Sequence, residues 1–156
     1  MLTQLHKEFD GHLQQAIADV QALKETLILE QNHLKNNDLD AFQELQVIKH
    51  HGVQTIQLFD ALRNQFCTNA DISKEDQHFS HHLLVPQQAL WQQLLDLLAE
   101  CDKLHRTSDA FMRTKLKSIN KALDILELNS TASSTNLYNG LGNAFKSNIG
   151  RSLDKA

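Results

Sequence analysis

Apolar residues in the first part of the chain recur at alternating spacings of four and three: Phe9, Leu13, Ala16, Val20, Leu23, Leu27 and Leu34, with Glu30 as the one charged member of the series. This is the heptad seam of a helix that packs lengthwise against another helix, and it predicts a helix from about Thr3 to Lys35. "NND" at 36–38 then supplies a turn and an N-cap, because Asn and Asp side chains accept bonds from the orphan amides of a new helix. A second seam reads Phe42, Leu45, Lys49, Gly52, Ile56, Phe59, Arg63 and Phe66. Two seams joined by so short a turn fold back as an antiparallel hairpin over residues 3–66, with Gly52 permitting close approach. Lys49 and Arg63 sit in that seam, where their alkyl stems can cover apolar surface while their charges reach water or an acidic neighbour.

The pattern lapses over a connector, residues 67–85. Ser73 with Asp76 three positions later resembles a capping box and predicts a short helix from about Lys74 to Leu84, ending before Val85 because Pro86 disfavours a helical predecessor. Pro86 suits the first position of a new helix. From there Leu90, Leu94, Leu97, Cys101 and Leu104 keep the heptad, Ser108, Met112 and Leu116 slip to spacings of four, and Ile119, Leu123 and Leu126 restore it. The spacing favours one long helix over 86–128 with an inserted stutter; the alternative is a break with Ser108 as a new N-cap. Residues 1–128 thus read as a helical bundle and 129–156 as a separate tail. "NSTASSTN" is a linker by composition. Beyond it Leu137, Leu141, Phe145, Ile149 and Leu153 recur every fourth residue, with Gly140, Gly142 and Gly150 among them. A helix so short and glycine-rich is marginal alone in water. Burying its stripe would contribute about 1.5–3 kcal/mol per side chain, against an ordering cost of about 2–5 kcal/mol, which is compatible with micromolar binding. The stripe either folds on a partner or docks on the chain's own bundle.

Composition supports an all-α class: one Pro, five Gly and 6% aromatic residues among 156 leave little strand or turn punctuation. The net charge is −4. The tail carries Lys146, Arg151 and Lys155 against Asp154 and is therefore +2, leaving −6 on the rest, a poor surface for nucleic acid. Cys67 and Cys101 each fall on an apolar helical face, so they read as reduced packing thiols and fit a cytoplasmic protein. No basic region followed by an apolar stretch opens the chain, and no apolar run approaches a membrane span.

Leu27, Glu30, Leu34, Asp38, Leu45, Lys49, Leu62 and Arg63, followed by "LWQQLLDLLAEC" at 90–101, resemble the FlgN-type flagellar type III export chaperones, and the resemblance extends from about Leu23 to Gly142. It implies an elongated helical hairpin, a further long helix and an amphipathic C-terminal region that binds the C-terminal helices of the hook-associated proteins FlgK and FlgL in the cytoplasm. On that resemblance the client stripe is Leu137, Leu141, Phe145, Ile149 and Leu153. A family tyrosine that contacts the export gate protein FlhA is matched by Tyr138, the chain's single tyrosine. No enzyme activity and no cofactor are implied. Trp91 opens the Leu-rich seam and reads as core.

Two other classes stand beside this one. Nine histidines include Glu30 with His33 and Glu75 with His78 at the Glu-x-x-His spacing of di-iron helix bundles, but inward carboxylates from two further helices are not evident. His78, His81 and His82 could bind Zn or Ni but read better as a solvated cluster, and His50, His51 and His105 as partly exposed packing residues. No catalytic triad, phosphate loop or cysteine-pair zinc motif occurs. Alternatively the hairpin could be half of a homodimeric four-helix scaffold, because heptad seams do not name their partner.

Overall fold

The computed structural model describes the backbone of residues 1–141 and side chains through Leu128. Three long helices, α1 (Leu2–Lys35), α2 (Leu39–Asn69) and α3 (Val85–Leu141), make an all-α protein with no strand among the described residues. The chain divides into two units, Met1–Phe111 and Met112–Ala156.

In the first unit all eight seam positions of α1, Phe9, Leu13, Ala16, Val20, Leu23, Leu27, Glu30 and Leu34, are buried. The facing seam of α2 is half-buried from Phe42 to Arg63 and fully buried at Phe66. The turn between them forms as its residues dictate. Asn37 adopts a left-handed φ of 58°, a conformation that Asn tolerates better than most residues, and the Asp38 carboxylate caps α2 by accepting from the Ala41 amide at 3.2 Å. Antiparallel register follows from Phe9 stacking on Phe66 at 4.3 Å between centroids and from Lys49 bonding Glu30 at 2.8 Å. Between these contacts the helices close around Gly52, where an added Cβ would lie 3.1 Å from Leu23 Cδ1.

The connector departs from expectation. Instead of a helix over 74–84 it forms turns and one 3₁₀ turn, Phe79–His82. The Asp76 carboxylate explains the difference: Oδ1 accepts from the His78 amide at 2.8 Å and Oδ2 lies 2.7 Å from His82 Nε2, which closes a tight turn where a capping box would open a helix. The turn drives Phe79 into an aromatic cluster with Phe9, Phe66 and Trp91, and the Arg63 guanidinium lies 5.6 Å from the Phe79 ring centroid. Trp91 is half-buried against this core, as its place at the head of the seam predicts.

Within the same unit α3 runs parallel to α1. Gln87 Nε2 donates to the His6 carbonyl, Cys101 Sγ donates to the Val20 carbonyl at 3.8 Å, Lys24 pairs with Glu100, and Gln31 Nε2 donates to the Leu104 carbonyl at 3.1 Å. Pro86 falls in the first turn of α3, and the helix passes Ser108 without a break. It also continues to Leu141, through residues 129–136 where composition predicts a linker. Ser, Thr and Asn cost a helix only about 0.5–0.7 kcal/mol each relative to Ala, and neither Pro nor Gly intervenes before Gly140.

Candidate partner-binding surface

The seam of α3 has two environments. Leu94, Leu97, Cys101 and Ser108 are buried, with Leu90 and Leu104 half-buried, so this half contributes to the core of the first unit. From Met112 onward the same helix is solvent-facing: Met112 is 37% exposed and Leu116, Ile119, Leu123 and Leu126 are 51–63% exposed. The stutter at Ser108, Met112 and Leu116 is the one irregularity in the heptad, and it coincides with the boundary between the units at Phe111 and Met112. The heptad spacing predicts this stripe as part of the bundle; in the structure its side chains face solvent.

Leu137, Tyr138 and Leu141 fall on the helical backbone of α3, and Leu137 stands three turns beyond Leu126. Phe145, Ile149 and Leu153 lie outside the described residues.

The residues that suggested a metal centre have other partners. Glu30 is buried, with Oε1 accepting from Lys49 Nζ at 2.8 Å and from Gln46 Nε2 at 3.0 Å. His33 faces Asp38 at 3.6 Å, on the turn. Glu75 and His78 lie in the turns of the connector, so the helical geometry that would bring a Glu-x-x-His pair onto one face is missing there. His78 stacks on His81 with ring centroids 5.2 Å apart. His50, His51 and His105 are exposed rather than half-buried, and His105 Nδ1 lies 3.2 Å from Lys49 Nζ. Among the described residues no group of three or more His, Cys, Asp or Glu side chains is placed to hold a metal ion, and no helix is long and apolar enough to cross a membrane.

Cys67 and Cys101 are free, buried thiols. Burial pushes both above the ordinary thiol range, against the attraction of Arg63 and Lys74 at Cys67 and of Lys24 at Cys101. They are packing groups, poorly suited to act as nucleophiles.

Comparison with curated proteins and with solved structures finds no match. The family model described as FlgN protein matches residues 1–145, which takes in the hairpin, the connector and the described length of α3. A heptad hairpin, a parallel third helix and an exposed apolar stripe leading toward the C-terminus therefore belong to a member of the FlgN family, the flagellar export chaperones.

Proposed function

We propose that this chain is a cytoplasmic chaperone that binds the C-terminal helices of the hook-associated proteins FlgK and FlgL and delivers them to the type III export apparatus. The observation that carries the reading is the family match over residues 1–145. The apolar repeat Leu137, Leu141, Phe145, Ile149 and Leu153 is the client surface, and Tyr138 beside it is the contact for the cytoplasmic domain of FlhA. The chemistry is helix-in-groove recognition: apolar side chains at helical spacing cover the matching face of a client helix that would otherwise associate before export. No covalent step is required. The cations Lys146, Arg151 and Lys155 lie within and beside the apolar repeat.

The test is calorimetric titration of C-terminal fragments of FlgK and FlgL into the full chain and into a truncation ending at Leu128. Micromolar binding to the full chain that is lost on truncation supports the reading. Absence of binding to the full chain, or full binding by the truncation, overturns it.

A further inference from the structure

The face of the hairpin turned away from α3 carries a groove with a repeat in it. One hollow, of about 120 Å³, is lined by four residues of α1 from Leu5 to His12 and four of α2 from Leu62 to Asn69. A second, of about 140 Å³, is lined by four residues from Asp19 to Thr26 and four from Ile48 to Thr55. On both helices the four stand at i, i+3, i+4 and i+7. Leu5 to Asp19 and Ile48 to Leu62 are both steps of 14 residues, so one hollow is the other moved by two heptads, about 21 Å along the hairpin. α3 lines neither of them. It meets α1 through the His6 and Val20 carbonyls and the Lys24 and Gln31 side chains.

The groove has the character of a helix-packing seam left open. Leu5 and Leu62 are half-buried, Ile48 is 56% exposed, and Leu58, between the two sets on α2, is 67% exposed. A further helix laid along it would repeat its contacts every two heptads, with a large apolar side chain entering each hollow. About 21 residues of helix span both.

Charge selects among such helices. The ionisable groups lining the hollows are Glu8 and Asp19 with His12 and His51, and no Lys or Arg is among the described residues there. Glu8 accepts from Gln4 Nε2 and Asp19 from Gln15 Nε2, both at 3.0 Å. These donors are neutral amides and leave the carboxylate charges in place. Glu8 and Asp19 stand three turns apart on the α1 rim, so a helix with cations along that edge is attracted and one with anions is repelled.

We propose that the groove between α1 and α2 docks an amphipathic helix of another protein, with apolar residues repeating by heptads and Lys or Arg along the edge that meets α1. The surface lies wholly in the first unit, and the inference does not rest on the client reading of the C-terminal repeat.

The probe is a labelled peptide of about 21 residues with Leu at a and d, Lys at e and g and Gln elsewhere, titrated with the full chain by fluorescence anisotropy. The control is the same peptide with Glu at e and g. The Lys peptide should bind with a dissociation constant of about 10–100 µM and the Glu peptide at least about tenfold more weakly. Ile48→Gln removes an exposed apolar contact without changing the charge, and should weaken the Lys peptide about fivefold with helicity by circular dichroism retained. Glu8→Lys with Asp19→Lys should reverse the preference between the two peptides. Failure of the full chain to bind the Lys peptide overturns the proposal, as does binding indifferent to Ile48→Gln or to the charge reversal. Loss of FlgK or FlgL fragment binding in Ile48→Gln would assign the groove to the client, and a dimer in sedimentation that Ile48→Gln dissolves would assign it to a second copy; either result overturns it.

Discussion

The Lys49 ammonium lies 2.8 Å from the Glu30 carboxylate, in the middle of a hairpin seam whose neighbouring layers are apolar. Glu30 is 1% exposed, and both Lys49 and Gln46 donate to its Oε1, while its Oε2 is buried with no hydrogen-bond partner among the described residues. Removing the cation leaves a buried carboxylate with only Gln46, so Lys49→Met should cost about 2–4 kcal/mol. Removing both charges should not. Glu30→Leu with Lys49→Met is expected within about 1 kcal/mol of the parent or above it, because desolvation of a buried pair offsets most of its attraction. Urea denaturation of the two single variants and the double variant measures the coupling directly.

Gly52 sets the spacing of the hairpin at the next level. Alanine there gains about 1 kcal/mol of helix propensity, but its Cβ arrives 3.1 Å from a Leu23 methyl that is itself held in the core. The two effects nearly cancel, so Gly52→Ala should change stability by less than about 1 kcal/mol. Gly52→Leu has no such compensation and should destabilise by about 2 kcal/mol or more, read as a lowered midpoint in urea.

The hairpin was legible because heptad spacing, turn chemistry and the missing Cβ of Gly52 all point to one arrangement. Cover was less legible. The stripe from Met112 to Leu126 has the same residue types as the stripe from Leu90 to Leu104, and only the stutter between them marks the change from buried to exposed. The connector misled for a local reason: Ser73 and Asp76 have capping-box spacing, yet the Asp76 carboxylate bonds forward to His78 and His82. The polar run from Asn129 misled for the opposite reason. Composition suggests a linker there, but modest propensity costs do not stop a helix already running.

Cys67 and Cys101 offer probes of opening. Cys67 is 0% and Cys101 6% exposed, and burial raises both thiols, so each combines low access with a small thiolate fraction. Alkylation at neutral pH should run at least about 100-fold slower than for a free cysteine and reach the free rate in denaturant. The sign of the pH effect follows. Unfolded thiols ionise near 8.5, before the folded ones, so this stabilisation is complete below that value and is lost as pH rises through the higher folded values. Stability should fall on the alkaline side, and the fall should shrink in Cys67→Ala with Cys101→Ala.

Asp76 governs the acid side of the connector. The His78 amide, then the His82 ring, hold its carboxyl below the usual range. A depressed carboxyl contributes stability above the unfolded value of about 3.9 and loses it as pH falls through the lower folded value. Amide protection at His78 should therefore decline at acid pH in the parent. In Asp76→Asn it should be weaker at neutral pH and lose that acid dependence, as hydrogen exchange across the titration would show.

The client reading makes its sharpest demand at Leu141 and Phe145. An aspartate at either position forces a charge into the apolar contact, which costs at least about 1.4 kcal/mol and should weaken binding of FlgK or FlgL fragments more than tenfold in calorimetry. Tyr138→Ala should behave differently. If Tyr138 meets the export gate rather than the client, its loss leaves client affinity intact and reduces binding of the client-loaded chain to the FlhA cytoplasmic domain. Parallel loss of both interactions would make Tyr138 a support for the tail's own helix, and unchanged affinity in both aspartate variants would remove the repeat from the client contact. Because the truncation at Leu128 deletes all these side chains while retaining the seam from Met112 to Leu126, loss of client binding on truncation assigns the contact to the repeat, and binding that survives it moves the contact to the residues before Asn129.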